Sequence, residues 1–554
     1  MITTPTLAQS VIPSDASVQH AIDIRRVPWI RRLASDYASD HGALAAFFAG
    51  DPAAPEAWRA TIARRSAARP PAPFVDVLTA QLESRNAPAE ARAYAESLRL
   101  SDAVAVVTGQ QAGLFGGPLF TLLKALTTLQ LAERVSREHG VPAVPVFWID
   151  AEDHDWNEVA ACAVLDTDWQ VQRVALAPPP GAGEAPVGTL QVGDDIGGVL
   201  DALTLALPPT EFTAPLIDDL RRCYRPGAGM ADAFGRWLET VLGSRGLVVF
   251  DSSDPAAKPF ARDLFERELR DGRTAALAGD AGRRLAAEGY HAQVTPAADS
   301  VALFRVDGAR QPIRRTTDGF TIGAAPAALG ELVDALERTP EAFGPNVLLR
   351  PLMQDTLFPT ICYVPGPSEL AYLAQLKDVY EHFGLPMPLF HPRASATLLD
   401  SAGARFLDRH DLAFEALQPQ DEAALNRLLE AQLPAAVEQS IEDAREAIRT
   451  RLAAVVDVVP AVDPTLAGAA RSTLGRMEHD LKTLHNKILQ AAKRRDETLR
   501  RQFTRARAQA FPDGHTQERA LGFVGFLNRF GPSLIDRLLT ELPLDPAHHT
   551  LITP

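Results

Sequence analysis

The chain has 554 residues, enough for roughly three or four domain-sized units. Its hydrophobic content of 46% and charged content of 23% are ordinary for a globular protein, and no apolar run approaches the roughly 18 residues of a membrane span. The formal net charge of −15 excludes the broad basic face that nonspecific nucleic-acid binding requires. We therefore expect neither a nucleic-acid nor a membrane partner.

The N-terminal residues and the cysteines bear on the cellular compartment. The opening MITTPTLAQSVIPSDASVQH lacks the basic and apolar regions of a secretory signal, so we expect none. Cys162, Cys223 and Cys362 are far apart and match neither a disulfide framework nor a paired zinc motif. These features favour a reducing cytoplasm and predict no zinc site.

After helical patterns over residues 1–100, the sequence alternates between strand and helix signals. An amphipathic helix is predicted at 119–140, where Gly140 ends it. Apolar β-branched runs separated by helices predict an α/β fold with a parallel, doubly wound sheet. The predicted strands lie within AVAVVTG (103–109), VPAVPVFWID (141–150), GLVVFDSSD (246–254), the start of FPTICYVPGPSELAYLAQL (358–376) and MPLFHPRASATLLD (387–400).

Shifts in composition divide the chain into smaller segments. The predicted boundaries are an N-terminal helical segment (1–100), three parts of the sheet core (101–160, 246–270, 346–420), a loop-rich insertion (161–245), a small α+β insertion (271–345), a helical hairpin (421–511) and a C-terminal helical segment packing on the core (512–554). Within the α+β insertion, Asp307-Gly308 predicts a β-hairpin turn.

Heptad spacing marks the predicted helical hairpin. The break VVPAVDP (458–464) separates two apolar helical stretches, so an antiparallel pair is expected, serving either packing or a dimer contact. The seam slips once, as a four-residue stutter would produce. Its second helix has apolar residues at Leu474, Met477, Leu481, Leu484, Ile488 and Ala491, and then at Leu499, Phe503, Ala506 and Ala510.

A glycine-rich stretch follows the first predicted strand and opens the helix at 119–140. It is not a Walker A loop, because the nearest lysine is Lys124 inside the helix, and Gln111 breaks the dinucleotide fingerprint. Glycines allow close approach to the backbone, and amides at a helix start attract phosphate or carboxylate. We predict ligand binding here rather than helix–strand packing alone. The residues concerned are Thr108, Gly109, Gln110, Gln111, Gly113, Gly116, Gly117 and Pro118.

A second candidate cluster, WIDAEDHDWNE, follows the second predicted strand. Its ionisable residues are Asp150, Glu152, Asp153, His154, Asp155 and Glu158. Crowded carboxylates raise the basicity of a neighbouring histidine, so His154 with Asp153 and Asp155 is the predicted acid–base set. A divalent metal site and a solvated acidic loop are the alternatives, and Asp150 alone could bind the ribose of a dinucleotide.

Further polar residues follow the later predicted strands, where open α/β sheets bind ligands. Each has an ordinary structural explanation alone, but their recurrence at strand ends predicts substrate binding. His391 and Arg393 are predicted as a cation pair for an anionic group. The full predicted set is Asp251, Gln354, Gly366, Glu369, Tyr372, His391 and Arg393.

These motifs resemble the bacillithiol-biosynthesis cysteine-adding enzyme family (BshC). The resemblance rests on VTGQQAGLFGGPLFTLLKA, PVFWIDAEDHDWNEV, GLVVFDSSD, RPLMQDTLFPTICYVPGPSELAYLAQLK, FGLPMPLFHPRAS and QERALGFVGFLNRFG, in order from about residue 100 onward. It implies a Rossmann-like core similar to the catalytic domain of class I aminoacyl-tRNA synthetases, with connecting insertions and a dimerising coiled coil. It also implies a cytoplasmic ligase that joins cysteine to glucosaminyl-malate.

Amide formation from a free carboxylate needs activation, for which ATP is the expected cofactor, with magnesium as an accompanying ion. The glycine-rich stretch would then hold the phosphates or the substrate carboxylate, and no protein metal site is predicted. One alternative is an NAD(P)- or other nucleotide-dependent enzyme that uses the same loop. Another is a non-catalytic scaffold in which the coiled coil carries the function.

Overall fold

A computed structural model describes residues 20–65, 71–432, 435–495 and 497–554 of the chain. The chain forms two compact units. The first comprises the described residues up to Leu398 together with Thr516–Pro554, and the second comprises Leu399–His515. Residues 1–19 and 66–70 of the predicted N-terminal helical segment (1–100) lie outside the described ranges. Within those ranges, no helix is long and apolar enough to cross a membrane.

The strands are β1 (His20–Asp23), β2 (Val104–Gln110), β3 (Ala143–Ile149), β4 (Ala161–Leu165), β5 (Val171–Ala175), β6 (Val248–Asp251), β7 (Ser300–Asp307), β8 (Ala309–Thr316), β9 (Gly319–Ile322), β10 (Ala325–Ala327), β11 (Phe343–Pro345), β12 (Thr360–Tyr363), β13 (Leu389–Phe390), β14 (Ser395–Leu398) and β15 (His548–Ile552).

The helices of the first unit are α1 (Arg32–Ser39), α2 (Pro55–Arg65), α3 (Ala72–Ser84), α4 (Ala89–Ser97), α5 (Leu119–His139), α6 (Trp156–Val159), α7 (Ile196–Ala206), α8 (Thr213–Cys223), α9 (Met230–Leu242), α10 (Arg262–Asp271), α11 (Thr274–Ala287), α12 (Leu329–Arg338), α13 (Arg350–Leu357), α14 (Pro367–Leu373), α15 (Lys377–Phe383), α21 (Gln517–Ala520), α22 (Phe523–Phe530) and α23 (Ser533–Glu541). Those of the second unit are α16 (Ser401–His410), α17 (Ala423–Gln432), α18 (Ala435–Val458), α19 (Leu466–Arg495) and α20 (Glu497–Ala510).

The centre of the first unit is a parallel sheet in the order β13-β12-β2-β3-β6. Its strands are buried on both faces, since alternate residues of β3 enter two different cores: Val146 and Trp148 on one side, Phe147 and Ile149 on the other. The predicted α/β fold with a doubly wound parallel sheet is therefore confirmed. The last predicted strand divides in two, because β13 joins this sheet while β14 pairs with β15 in a separate sheet.

Two insertions interrupt the sheet. The first, predicted to be rich in loops, has a β4–β5 hairpin and the helices α7, α8 and α9, whose buried apolar residues pack into the core. The second carries an antiparallel sheet in the order β10-β9-β8-β7-β11. The predicted turn is confirmed, with Gly308 at φ +70° between β7 and β8.

The second unit contains the predicted helical hairpin, α18 against α19. Arg449 binds Glu478 at 2.6 Å and His485 contacts Glu438 at 3.0 Å, a pairing that runs in opposite directions along the two helices. The antiparallel arrangement is therefore confirmed. After the slip, the seam residues Leu499, Phe503, Ala506 and Ala510 of α20 are buried, as the apolar spacing predicts.

Candidate functional site

The glycine-rich stretch is a tight turn between β2 and α5. Gly116 and Gly117 have φ values of +94° and +73°, a region that disfavours side chains with a Cβ atom. A Cβ on Gly116 would lie 2.2 Å from the ring of Phe523 and 2.9 Å from Trp237, whose Nε1 donates to the carbonyl of Phe115 at 3.0 Å. Gly116 is therefore required by packing.

Replacing Gly116 with Ala should lower the free energy of unfolding by about 2–4 kcal/mol, because strained φ and overpacking add together. Gly140→Ala is the matched control: Gly140 also has positive φ, +68°, but a Cβ there meets nothing within 4 Å, so the cost should be about 1 kcal/mol. Urea denaturation of both variants checks this. Equal losses would show that the contact with Phe523 carries no cost.

The backbone amides of this turn are already occupied. Those of Gly113, Gly116 and Gly117 donate to the carbonyls of Gln111, Gly113 and Leu114 at 2.8, 3.0 and 3.1 Å. Leu119 N donates to Leu521 O at 2.8 Å. The expectation that amides at this helix start are free for a ligand is therefore wrong for these four donors.

A cavity of about 220 Å³ lies beside the turn. Five of the predicted cofactor-binding residues line it: Gln110, Gln111, Gly113, Gly117 and Pro118. The other three have structural contacts: Thr108 Oγ1 donates to Val364 O at 2.9 Å, Gly109 O accepts from Lys124 at 2.7 Å, and Gly116 packs on Phe523. The remaining lining residues are Phe120, Glu158, Val159, Ala161, Cys162, Ala163, Arg173, Arg519, Ala520 and Gly522.

The predicted acid–base residues lie at the carboxyl end of β3. Asp153 Oδ1 accepts from the backbone N–H of His154 at 2.7 Å and from Arg310 at 3.3 Å, and it lies 3.1 Å from His154 Nδ1. Asp153 Oδ2 accepts from Gln111 Nε2 at 2.5 Å. Burial alone would raise the pKa of Asp153, but these donors outweigh it and lower that pKa below its ordinary value, so Asp153 is ionised at neutral pH.

Asp155 differs from its predicted partners because it caps a helix. Its Oδ1 accepts from the Glu158 N–H at 3.2 Å at the start of α6. Asp150 lies 3.8 Å from Arg350, and burial raises its pKa. Glu152 contacts Lys258, whose pKa burial lowers to about 7. Across the described ranges, no three His, Cys, Asp or Glu side chains are grouped to hold a metal ion.

Lys124, buried in α5, joins two walls of the site. Its ammonium donates to Gly109 O at 2.7 Å and Gln110 Oε1 at 3.2 Å, and it pairs with Glu369 Oε2. Glu369 also accepts from the Gly366 N–H at 2.6 Å and from the Tyr363 hydroxyl at 2.8 Å. The predicted residues Gly366 and Glu369 are thus connected to the glycine-rich turn through one lysine.

Arg350 organises a second group of predicted residues. It donates to Gln354 Oε1 at 3.3 Å and to the Tyr372 hydroxyl at 3.1 Å. Burial raises the pKa of Tyr372 to about 12, so the phenol stays protonated. Asp251 instead closes a local turn, where it accepts from the amide and hydroxyl of Ser253 at 2.9 and 2.7 Å.

The predicted cation pair of His391 and Arg393 is wrong. Burial, reinforced by Arg134, lowers the pKa of His391 to about 4, so the imidazole is neutral at neutral pH. Arg393 binds Glu518 through two hydrogen bonds of 2.8 and 2.6 Å, with both side chains 3% exposed. Its charge is therefore compensated inside the protein.

Comparison with known proteins places the chain in a family. A model described as "Bacillithiol biosynthesis BshC, N-terminal Rossmann-like domain" matches residues 19–394, and one described as "Bacillithiol biosynthesis BshC, C-terminal coiled-coil domain" matches residues 396–553. The chain belongs to the BshC family. The predicted family resemblance is confirmed over nearly the whole chain, and with it the Rossmann-like core and the coiled-coil domain.

BshC relatives match over most of the chain. A protein of Salinibacter ruber named "Putative cysteine ligase BshC" is 36% identical over 529 residues, which cover 93% of this chain and 95% of the relative. A Koribacter versatilis protein of the same name is 34% identical over 540 residues, or 96% and 99% of the two chains. One from Symbiobacterium thermophilum is 33% identical over 461 residues, covering 80% and 83%.

Sequence reasoning missed several residues of this candidate site. Lys124 was not predicted as a site residue because it does not directly follow the last glycine. Arg350 was not predicted either, although it begins the motif RPLMQDTLFPTICYVPGPSELAYLAQLK. Arg173 comes from the first insertion, Arg310 from the second and Glu518 from the C-terminal segment. No local sequence pattern indicates their partners. Motif position could have indicated Arg519 and Glu518, since both lie in QERALGFVGFLNRFG.

Proposed function

We propose that this chain is a cysteine ligase of bacillithiol biosynthesis that joins cysteine to glucosaminyl-malate through an amide bond in the cytoplasm. Membership of the BshC family and the names of its relatives support the reaction class. The observation that carries the proposal is the cavity beside the glycine-rich turn, where carboxylate, guanidinium and amide side chains meet. Three free cysteines support a reducing compartment.

ATP is the activating group we propose. When bound, it would supply the phosphoryl or adenylyl group that activates the cysteine carboxylate. Arg173 and Arg519 at the cavity fit an anionic ligand, since guanidinium groups bind phosphate and carboxylate oxygens. Gln110 accepts from Lys124 through Oε1, which turns its donor Nε2 away from the lysine and makes it available to an oxygen.

We propose no protein ligand set for magnesium, which would accompany the phosphates. An NAD(P) reaction is less well supported, because Asp150, the predicted ribose ligand, already faces Arg350 at 3.8 Å. The predicted acid–base set of His154, Asp153 and Asp155 stays a prediction.

We also propose a homodimer formed through the coiled coil. Met477 and Leu484 occupy heptad positions on α19 and are 43% and 49% exposed, which leaves apolar surface that a second copy would cover. Sedimentation should give a dimer mass, and Met477→Lys with Leu484→Lys should shift it towards the monomer. An unchanged mass would contradict this interface.

The reaction is tested by incubating the purified protein with cysteine, glucosaminyl-malate and ATP. We expect the amide product by mass spectrometry, with AMP or ADP according to the group transferred. Omission of ATP should remove the product. Absence of product in the complete mixture, or consumption of NADPH in its place, would contradict the proposed function.

A further inference from the structure

Glu158 is the acidic side chain among the residues that line the cavity. It lies in the short helix α6, which Asp155 caps, and its position places a carboxylate beside Gln110 and Gln111 on the wall of the space. His154 and Asp153 come from the same stretch but are not among the lining residues of the described cavity. A proton acceptor must contact the group that it deprotonates, so location favours Glu158.

Gln111 connects Glu158 to the neighbouring carboxylate. Its Nε2 donates to Asp153 Oδ2 at 2.5 Å, and hydrogen bonding by the Gln111 side chain lowers the pKa of Glu158. Its Oε1 is buried without a hydrogen-bond partner among the described residues, an unfavourable state for a buried acceptor. The amide is thus oriented with its donor towards Asp153, and the unpartnered oxygen is the consequence of that orientation.

The charges around Glu158 come from several elements. Asp153 and Asp155 lie on its own stretch, Arg519 on α21 and Arg173 on β5. The Glu158 side chain is exposed at the cavity, but partial desolvation by its neighbours is the main cause that raises its pKa. The two aspartates add to this shift, while Arg519 and Gln111 oppose it without reversing it. A carboxylate with a raised pKa is a stronger base than one at its ordinary pKa.

We propose that Glu158 is the general base that deprotonates the amine of the amino-sugar substrate in this cavity. The assignment rests on the proposed function. The Glu158 carboxylate takes one proton from the ammonium group, which leaves a neutral amine. The amine lone pair forms the C–N bond to the activated cysteine carbonyl. The bond from that carbon to the phosphate oxygen breaks, and its electron pair leaves on the phosphate. The second nitrogen proton goes to solvent.

Arg173 and Arg519 complete the chemistry of the same cavity. Their guanidinium groups suit the oxygen-rich end of the acceptor or the departing phosphate, whereas Glu158 suits the ammonium. The cavity therefore carries both signs of charge, as a substrate with a cationic amine and anionic oxygens requires.

The test compares Glu158→Gln with the wild-type full-length protein, measuring amide formation between pH 6 and 9. Glu158→Gln should lower kcat by about 100-fold or more near neutral pH, the usual contribution of a general base. The wild-type rate should fall when the pH drops through the raised pKa of Glu158, because protonated Glu158 cannot accept a proton. In the variant the amine must lose its proton to solvent, so its deficit should shrink by about tenfold per pH unit as the pH rises.

The control is Glu138→Gln, which removes an exposed carboxylate on the last turn of α5 and should keep the wild-type rate and pH profile. Glu158→Gln should unfold at the same midpoint temperature as the wild type, which would show that the variant is folded. A Glu158→Gln rate within about threefold of wild type, or a deficit independent of pH, would overturn the assignment while the proposed function stands. If His154→Ala loses activity while Glu158→Gln keeps the wild-type rate of amide formation, the assignment of Glu158 as the base is also overturned. No product from the wild type would overturn both.

Discussion

Glu518→Gln should lower the free energy of unfolding of the first unit by about 3–5 kcal/mol, because it leaves the buried guanidinium of Arg393 without its counter-charge. Arg393 cannot lose its proton to escape this cost, since guanidinium stays charged in proteins. Urea denaturation followed by tryptophan fluorescence measures the effect, because the buried Trp148 and Trp237 both lie in this unit.

Asp76→Asn provides the matched control for that substitution. It breaks a 2.6 Å pair with Arg99 whose side chains are 68% and 37% exposed, and it should cost less than about 1 kcal/mol. The double replacement Arg393→Met with Glu518→Leu should be more stable than Glu518→Gln alone, since no unpaired charge remains. If Glu518→Gln is as mild as Asp76→Asn, the pair does not stabilise the fold in this way.

Lys124→Met should lower the free energy of unfolding by about 3 kcal/mol and also reduce ligase activity. The substitution keeps the apolar stem but removes the charge opposite Glu369 and the donor that binds Gly109 O and Gln110 Oε1. Activity should fall because Gln110 lines the cavity and loses the contact that orients it. Denaturation and product formation are measured on the same preparation.

The pH dependence of stability gives Lys124→Met a second readout. Burial alone would raise the pKa of Glu369, but Lys124 and the other donors lower it below its ordinary value of 4.5. The carboxylate therefore stabilises the wild type fully above pH 4.5, and this stabilisation is lost as the pH falls through the lowered pKa. Without Lys124 the pKa rises, so the loss should begin at higher pH.

Lys377→Met is the control, because Lys377 also donates to a carbonyl, that of Ala46 at 3.1 Å, but at the surface. Its stability and acid profile should stay close to those of the wild type, within about 1 kcal/mol. An acid profile of Lys124→Met that coincides with the wild-type curve would contradict the role assigned to the lysine.

The sheet could be predicted from the sequence because its signals are local. The run before Gly109 alternates between two buried faces, and Gly140 ends α5 in a left-handed conformation, so each element is readable within a short window. The same holds for the turn at Gly308. Family motifs then indicated the function, because they span long stretches in order.

The contacts of the site could not be predicted in this way, because each joins distant segments. Arg310 reaches Asp153 across 157 positions and Arg393 reaches Glu518 across 125, so neither partner is visible in a local pattern. His391 was predicted to be a cation from its residue type, whereas its protonation depends on burial. The amides of the glycine-rich turn were predicted to be free, whereas the positive φ angles fold the turn onto its own carbonyls.

The first unit consists of two segments of the chain, and the second unit lies between them in the sequence. Residues 399–515 leave the ribosome before the segment that carries Glu518, Arg519 and β15. Until that segment emerges, Arg393 has no counter-charge, the cavity lacks one wall, and β14 has no partner strand. We therefore expect the first unit to complete its fold only after the hairpin has been made, and chaperone binding to the nascent chain to be highest during that interval.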